Sequence, residues 1–354
     1  MAYYGQKLVN ALIRCDASEK IGTGHVMRCL ALAQAFKRLD FEVTFLSYDL
    51  SKSLISLIEN SGFQLELISE GMPGDGFDLN QTQNLAKKIS AKIIVLDGYH
   101  FGYQYQLNLD SYSKKTILID DSDGTNQIGT NVILNQNIWA SVDRYMSTSR
   151  DVEVLAGPRY ALFRHEFVAH QRTTVTAKQV KHILVTPGGS DPGNITPTII
   201  RALDSICNID LQTKIVLGSM NSRMQENRAL ASTVSAEIEF FEHVNSMPDF
   251  MDWADIAISG GGFTTFELAL LGVPSLFFIE SHYQRLNVET FQGKQMAINL
   301  GPSTDCSPQT IATALQQLME NYSLRRSLSQ QCMTVFDGKG AERVAAYLAK
   351  SIHS

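Results

Sequence analysis

The stretch of sequence that decides the fold is Leu12-Ile13-Arg14-Cys15 together with the turn that follows it, Gly22-Thr23-Gly24-His25. The first segment has the largely apolar character of a buried strand, and residues 26–39 are patterned as a helix. A glycine-bearing turn between a strand and a helix lets the backbone pass close to a ligand and directs the free N–H groups of the helix at it. Gly22 and Gly24 therefore predict a binding loop for an anionic group.

His25 falls in the first turn of the predicted helix, where the positive end of the helix dipole favours the neutral imidazole. A neutral imidazole beside an anion site is suited to act as a general base. The alternative is that His25 only caps the helix. Arg28, one turn further on, is either a contact to a diphosphate or a surface residue, and its spacing does not decide between the two.

Length and composition indicate a folded protein of two domains. The chain has 354 residues, more than a single core usually holds, with 44% hydrophobic and 19% charged residues. Its 30 basic and 36 acidic residues give a net charge of −6, and no basic block is present that could follow a phosphate backbone. Nucleic acid is therefore not an expected partner, and we expect a monomer or a weak homodimer.

The cysteines and the apolar runs indicate the compartment. Cys15, Cys29, Cys207, Cys306 and Cys332 are widely spaced and form no Cys-x-x-Cys pair, which predicts neither a zinc site nor a disulfide framework. We therefore expect a reducing, cytoplasmic environment. The N-terminal region lacks the apolar core of a signal peptide, and no run approaches the ~20 apolar residues that span a bilayer, so the sequence predicts no transmembrane segment.

Short apolar runs alternate with amphipathic segments along the chain, which predicts parallel β-sheets covered by helices on both faces. The strand-like runs in the first half are residues 42–46, 92–97 and 116–120, and those in the second half are 182–186, 214–217, 256–259 and 274–278. The sequence therefore predicts an α/β protein of two Rossmann-like domains that face each other across a cleft. In such sheets ligands bind at the carboxyl ends of the strands.

The predicted boundaries follow from this alternation. We expect a first domain over residues 1–171, a polar linker over 172–181 and a second domain over 182–337. The final segment, 338–354, is predicted as a helix that packs back on the first domain.

Two further glycine loops follow predicted strands in the second half. They are Pro187-Gly188-Gly189-Ser190-Asp191 and Ser259-Gly260-Gly261-Gly262-Phe263-Thr264-Thr265-Phe266-Glu267. Each places glycine amides before a helix, as a diphosphate requires, and the Glu267 carboxylate can accept two hydrogen bonds from a ribose diol. A tight turn for close helix packing is the alternative for either loop alone, but two such loops favour a nucleotide site.

The end of another predicted strand carries Asp97 and Tyr99. Asp97 is a candidate to hold sugar hydroxyls or amides and Tyr99 to orient a water molecule, although a strand-terminal aspartate also commonly caps a turn. Asp120-Asp121-Ser122-Asp123 lacks the spaced ligands of a calcium loop and is compatible with an ordinary aspartate-rich turn. We therefore expect no metal and no other cofactor.

The loop at residues 259–267, followed by Gly272-Val273-Pro274, resembles the nucleotide half of GT-B glycosyltransferases of the lipid II synthase type. The resemblance implies that Glu267 holds the ribose and that the backbone at Val244 contacts uracil. Residues 14–30, 156–167 and 188–192 are similar to the UDP-2,4-diacetamido-2,4,6-trideoxy-β-L-altropyranose hydrolases of pseudaminic acid synthesis and to their spore-coat-polysaccharide relatives. This second resemblance implies that water attacks the anomeric carbon, that UDP leaves and that His25 is the base.

One position departs from that family. Where the family usually has an Asn-Gln pair, this chain has Tyr283-Gln284, so the glutamine is kept and the asparagine is replaced. The change favours an alternative function, a glycosyltransferase in which an acceptor hydroxyl replaces water. A second alternative is a catalytically silent subunit that binds a UDP-sugar.

The combined expectation is hydrolysis of a UDP-linked diacetamido trideoxyhexose, with His25 and Tyr99 as the catalytic residues. The expected contacts to the UDP-sugar are Gly22, Gly24, Arg28, Asp97, Gly188, Gly189, Ser190, Val244, Gly261, Gly262, Thr264, Thr265, Glu267 and Gln284.

Overall fold

A computed structural model describes residues 9–18, 22–48, 50–122, 127–145, 151–170, 176–188, 191–206, 210–218, 221–242, 244 and 246–352. The chain divides into two compact units. The first unit is Met1–His165 with Lys339–Ser354, and the second unit is Glu166–Gly338. Part of the predicted linker, residues 172–175, lies outside the described residues.

Strands and helices alternate through the first part of the chain. In chain order they are β1 Val9–Cys15, α1 Gly24–Lys37, β2 Phe41–Ser47, α2 Lys52–Asn60, β3 Gln64–Leu67, α3 Gly76–Lys88, β4 Ile93–Asp97, α4 Tyr103–Leu109, β5 Lys115–Ile119, β6 Val132–Asn135 and β7 Glu153–Ala156.

The second part continues in the same way. It holds α5 His165–Ala169, β8 His182–Thr186, α6 Thr196–Ser205, β9 Gln212–Val216, α7 Met224–Ala231, β10 Glu237–Phe241, α8 Met247–Trp253, β11 Ile256–Gly260, α9 Thr264–Leu270, β12 Ser275–Ile279, α10 His282–Gly293, β13 Ile298–Pro302, α11 Pro308–Glu320, α12 Tyr322–Val335 and α13 Gly340–Ser351.

The sheet of the first unit is parallel, with its strands in the order β3-β2-β1-β4-β5-β6-β7 among the described residues. All five residues of β4 are buried, as expected of a central parallel strand covered on both faces. The strand order reverses direction between β1 and β4. This is the topological switch point, outside which open α/β sheets bind their ligands.

The C-terminal helix α13 completes the core of the first unit. It packs against α1, and its side chains Val344 and Leu348 are fully buried in the same hydrophobic cluster as Phe36 of α1. An exposed ion pair between Arg38 and Glu342 lies at the edge of this contact.

The sheet of the second unit has the corresponding topology. Its described strands are parallel in the order β10-β9-β8-β11-β12-β13, so the switch point lies between β8 and β11. Phe266, Phe277, Phe291 and Phe336 pack against one another behind β12 and extend the core. The prediction of two parallel-sheet α/β domains is confirmed.

Candidate active site

The predicted histidine lies at the switch point of the first sheet. β1 and β4 are adjacent, with Cys15 in register with Asp97, so the segments that follow the two strands leave the sheet side by side. His25 is the second residue of α1, which begins after the glycine turn, and only 5% of it is exposed. The chain order β1, turn, α1 and then β4 therefore brings His25 to Asp97, 72 residues away.

The turn before α1 has a backbone that requires glycine. Gly22 has a φ of +72°, in the left-handed region that favours glycine, and its N–H donates to the carbonyl of Ser18 at 2.8 Å. Apart from the adjoining residues and the backbone of α1 itself, no described residue has an atom within 4 Å of where a Cβ would lie at Gly22 or Gly24. The turn therefore leaves open space in front of the helix, as a binding loop would.

His25 is oriented by a carboxylate. Its Nδ1 lies 2.5 Å from Oδ1 of Asp97, which is fully buried. Nδ1 also lies 3.0 Å from Nη2 of Arg28, but its shorter contact is to an ionised carboxylate, which only accepts hydrogen bonds. This contact favours the tautomer with the hydrogen on Nδ1, in which Nε2 has the lone pair. This is the arrangement of an oriented general base.

Asp97 and Arg28 correct the sequence-based expectations. Arg28 is buried; its Nε and Nη2 donate to the two oxygens of Asp97 at 2.6 and 2.5 Å, and its Nη1 donates to Asp121 at 2.7 Å. Arg28 is therefore not a surface residue, and its contact to a diphosphate stays a prediction. Asp97 does not present its carboxylate to a sugar, because His25, Arg28 and the thiol of Cys29 already occupy both oxygens.

The charge of Asp97 is fixed by its neighbours. Burial by itself would raise the pKa of the Asp97 carboxyl, but the charges and hydrogen bonds of Arg28 and His25 outweigh it and hold this pKa well below its usual range. Since Arg28 supplies a permanent positive charge, Asp97 remains an anion whether or not His25 carries a second proton. The carboxylate can therefore orient His25 throughout a proton transfer.

Tyr99 packs on the predicted base. Its ring meets the ring of His25 edge-to-face, with centroids 5.1 Å apart and planes at 85°, and 56% of Tyr99 is exposed. Both residues line a cavity of about 270 Å³ within the first unit. The structure thus brings the two predicted catalytic residues together, while the role of Tyr99 in orienting water stays a prediction.

A second histidine and carboxylate pair lies at the same switch point. Asp16 follows β1 and His100 follows β4, and Nε2 of His100 lies 3.0 Å from Oδ2 of Asp16. Burial favours a higher pKa for Asp16, yet hydrogen bonds from His100 and Arg14 and the charge of Arg14 lower it to about 2. Sequence reasoning did not single out His100, because nothing near it in the chain indicates that its partner is Asp16.

Arg14 connects this pair to a buried network. Its fully buried guanidinium donates to Asp16 at 2.6 Å and makes a bidentate pair with Asp78 at 2.8 and 2.9 Å. Asp78 also accepts from the hydroxyl of Tyr105 at 2.9 Å. Asp78 and Tyr105 are far from Arg14 in the chain, so their role could not be predicted from a local pattern.

In the described part of the aspartate-rich turn after β5, residues 120–122, the carboxylates accept hydrogen bonds from nearby groups, as in an ordinary turn. Asp120 accepts from the N–H and the hydroxyl of Ser122 and from the hydroxyl of Tyr145 at 2.7 Å, whereas Asp121 pairs with Arg28. Asp123 lies outside the described residues. In the part of the chain that is described, no group of three or more His, Cys, Asp and Glu side chains could hold a metal ion.

The glycine loops of the second unit follow the two strands at its switch point. Gly188 follows β8 with a φ of +113°, while Gly189 and Ser190 lie outside the described residues. A Cβ on Gly261, which follows β11, would come within 2.5 Å of Val288 and 3.1 Å of Gln284, both in α10. Gly261 therefore allows α10 to approach the loop, which agrees with the packing alternative and leaves ligand binding a prediction.

The three predicted contact residues that follow Gly262 in the chain differ in burial. Thr264 is the first residue of α9 and is half-buried. Thr265 is a correction: it is fully buried and its hydroxyl donates to the carbonyl of Gly262 at 2.8 Å, so its side chain shapes the loop and does not reach a ligand. Glu267 lies in α9 with 8% of its surface exposed, and its contact to ribose stays a prediction.

The segment in which this chain departs from the hydrolase family forms the first turn of a helix. Tyr283 and Gln284 lie in the first turn of α10, with Tyr283 60% exposed. The Gln284 side chain accepts from the N–H of Glu280 at 2.9 Å, and its Nε2 is 3.8 Å from the Cβ position of Gly262. Gln284 therefore lies with Gly261 and Gly262, whereas Val244 lies between β10 and α8 and is half-buried.

Comparison with known proteins finds a family model that matches part of the chain. Residues 182–344 match the model of the glycosyltransferase family 28 C-terminal domain. Across 95% of this chain and 96% of the relative, the sequence is 24% identical to the spore coat polysaccharide biosynthesis protein SpsG of Bacillus subtilis. It is 26% identical to the UDP-2,4-diacetamido-2,4,6-trideoxy-β-L-altropyranose hydrolase of Campylobacter jejuni, over 67% of this chain and 80% of that one.

Solved structures show the same fold at lower identity. MurG of Acinetobacter baumannii superposes with a TM-score of 0.67 at 15% identity, covering 97% of this chain and 99% of that one. UDP-GlcNAc 2-epimerase of Neisseria meningitidis, solved with UDP-GlcNAc bound, gives 0.66 at 12% identity, covering 97% and 100%. By fold, the chain is a GT-B-like α/β protein.

These matches support the glycosyltransferase-like superfamily, with SpsG and the altropyranose hydrolase as homologues at low identity. The superfamily includes proteins of different activities, so the finer function depends on the side chains of this chain. Among the described residues, none of the helices combines the length and the apolar character needed to cross a membrane.

Proposed function

We propose that this chain hydrolyses a UDP-linked diacetamido trideoxyhexose to UDP and the free sugar, as a step in nonulosonic acid biosynthesis. The observation that carries the proposal is the His25–Asp97 pair, in which a buried carboxylate orients an imidazole beside a cavity at the switch point of the sheet. The homology to the altropyranose hydrolase of Campylobacter jejuni supports the choice of reaction and substrate.

The proposed reaction is a substitution at the anomeric carbon. The water oxygen forms a bond to that carbon as the bond to the bridging diphosphate oxygen breaks, and the electron pair leaves with UDP. Nε2 of His25 takes the proton from the water, Tyr99 orients this water, and Asp97 and Arg28 hold the imidazole. Stabilisation of the charge that develops on the leaving diphosphate supplies much of the rate enhancement.

We assign the nucleotide to the second unit. The amides of Gly188, Gly189, Ser190, Gly261 and Gly262, with Thr264, hold the diphosphate, and Glu267 holds the ribose. The backbone at Val244 contacts uracil, and Gln284 contacts the diphosphate or the sugar. The match of residues 182–344 to the family 28 domain supports this assignment. Gly22 and Gly24 belong to the loop beside His25.

We propose that the protein acts in the cytoplasm as a monomer or weak homodimer and that it uses no metal or other cofactor. We propose a first domain over residues 1–171, a linker over 172–181, a second domain over 182–337 and a C-terminal helix over 338–354.

A glycosyltransferase with a UDP-sugar donor is the second candidate. The observation that favours it is the exposed Tyr283 where the hydrolase family usually has asparagine, because an exposed aromatic ring can pack against an acceptor. A transferase releases UDP only when an acceptor is added, whereas a hydrolase needs none. A silent subunit that binds the UDP-sugar releases no UDP under either condition.

Two variants, His25→Ala and Glu267→Ala, test whether the first unit supplies the base and the second unit binds the nucleotide. His25→Ala removes the base, so we expect the rate of UDP release to fall by about 100-fold or more with the Kd for UDP nearly unchanged. Glu267→Ala removes the proposed contact to the ribose. This contact is equally strong in the bound substrate and in the transition state, so its loss weakens binding more than it lowers kcat. We expect UDP to bind more weakly by about 1.5–3 kcal/mol, with a smaller effect on kcat.

The two measurements are isothermal titration calorimetry with UDP and an assay of UDP release from the UDP-sugar without acceptor. Wild-type turnover in His25→Ala would remove His25 from the mechanism. Wild-type affinity for UDP in Glu267→Ala would assign the ribose to another residue.

A further inference from the structure

The cavity that His25 lines is a built feature of the first unit, and its lining says which part of a substrate it accepts. Its volume of about 270 Å³ is below the ~300–1,000 Å³ of pockets that hold whole drug-sized ligands, so it accommodates one substituted sugar ring and not a complete nucleotide sugar. A larger cavity of about 470 Å³ in the second unit, between α6 and α11, holds neither of the predicted catalytic residues.

The charges of the cavity select a neutral group. Asp120 and Asp121 line it, and Arg28 is the cation that faces them, already paired with Asp121 and Asp97. Two carboxylates beside one neutralised guanidinium repel a phosphate, while their oxygens can accept hydrogen bonds from hydroxyl or amide groups. The cavity is therefore suited to the uncharged sugar and unsuited to the diphosphate.

The remaining walls fit a sugar with methyl groups. Phe101, Leu118 and Ile119 supply an apolar side, and each is at most 7% exposed. Deoxy and acetamido substituents carry methyl groups that such a wall can bury, whereas a hydroxyl placed there would lose its hydrogen bonds to water.

Tyr103 supplies a polar group that the protein does not use itself. It is the first residue of α4, half-buried in the cavity wall, and its hydroxyl makes no hydrogen bond within the described part of the chain. Tyr105, two residues away, is different: its buried hydroxyl bonds to Asp78 and Thr82. Tyr105 is thus a structural residue, whereas Tyr103 lines the cavity and its hydroxyl is held by none of the described residues.

We infer that this cavity is the subsite for the neutral sugar ring of the substrate, and that Tyr103 determines specificity by hydrogen-bonding a hydroxyl or acetamido group of that ring. The inference rests on the proposed function, since it takes the substrate to be a nucleotide-linked sugar. His25 lines the same cavity, so a ring held there has its reactive carbon close to the base.

The test compares Tyr103→Phe with the wild type and with Tyr112→Phe, an exposed tyrosine outside the cavity lining. The probes are UDP, UDP-N-acetylglucosamine and the UDP-linked diacetamido trideoxyhexose, with Kd measured by calorimetry on proteins that also carry His25→Ala, so that hydrolysis does not consume the ligand during the titration. We expect Tyr103→Phe to raise the Kd of the UDP-sugars by about 3- to 10-fold, the size of one neutral hydrogen bond, and that of UDP by less than 2-fold. Tyr112→Phe changes neither.

A second measurement reports on the ligand directly. In saturation-transfer NMR on the wild type we expect the methyl protons of the sugar to receive saturation from the protein, less so in Tyr103→Phe. Equal Kd changes for UDP and the UDP-sugars, no change at all, or no saturation of the sugar would overturn the inference. These readouts need no turnover, so an absence of UDP release would count against the proposed hydrolysis and not against the subsite.

Discussion

At the scale of single residues, two carboxylates at the ends of adjacent strands, Asp16 just after β1 and Asp97 as the last residue of β4, are each held by a buried arginine and each face a histidine. Arg14 and His100 contact Asp16, and Arg28 and His25 contact Asp97. A buried carboxylate that lost its arginine would be left without its permanent countercharge, which is strongly destabilising. Both arginines therefore orient the histidine pairs and stabilise the fold.

The acid stability of the first unit follows from Asp16. Its pKa of about 2 lies below the unfolded-state value of about 3.9, so its stabilising contribution is fully present above pH 4 and is lost as the pH falls towards 2. The contribution at neutral pH is about 2–3 kcal/mol. We expect the difference in unfolding free energy between wild type and Asp16→Asn to shrink by that amount between pH 5 and pH 2.

Denaturant unfolding at a series of pH values measures this difference, with the exposed Asp143→Asn as the control that leaves it near zero. A gap between wild type and Asp16→Asn that stayed constant with pH would contradict the assignment.

Sequence reasoning found part of this site. His25 and Tyr99 were predicted from strand and helix ends alone, and they do meet. Asp121 and Asp78 were missed as partners because the contacts to Arg28 and Arg14 span 93 and 64 residues. The ion pairs of Arg28 could not be predicted either, since a helix pattern does not show which carboxylates a later strand brings to it.

At the scale of elements, the apolar pattern of the sequence predicted the central strands of both sheets. The segment 182–186 coincides with β8, and the runs at 92–97 and 256–259 lie within a residue of β4 and β11. β3 and β10 were not predicted; both are edge strands whose exposed residues interrupt the apolar pattern. β6 was missed for another reason, since four buried residues are too short a run to be distinguished from a turn.

The helix α13 gives a prediction at this scale. Leu348 is fully buried in the cluster shared with α1, so Leu348→Ala leaves a cavity and should destabilise the first unit by about 2–5 kcal/mol. Glu342→Ala on the same helix removes only the exposed ion pair with Arg38 and should cost less than about 1 kcal/mol. Hydrogen exchange at the β1 amides measures both, and similar values for the two variants would show that α13 is not held by its apolar face.

At the scale of the whole molecule, the fold restricts the function without deciding it. Structures with TM-scores of 0.67 and 0.66 include MurG and a UDP-GlcNAc 2-epimerase, so the same architecture serves different reactions. The alternation of strands and helices predicted two Rossmann-like domains, and the resemblance of residues 259–267 to glycosyltransferases predicted that they form a GT-B-like fold. In the proposed function, the reaction is decided by whether water or an acceptor hydroxyl lies beside His25.

Turnover of the UDP-linked diacetamido trideoxyhexose in oxygen-18 water, with no acceptor present, tests the central claim most directly. Attack by water at the anomeric carbon predicts UDP release, the label on the anomeric hydroxyl of the sugar, and unlabelled UDP. The sugar is analysed promptly, because a reducing sugar exchanges this oxygen through its open chain, whereas UDP does not. Label in the released UDP or UMP, or no UDP release without an acceptor, would contradict hydrolysis by a water molecule that His25 activates.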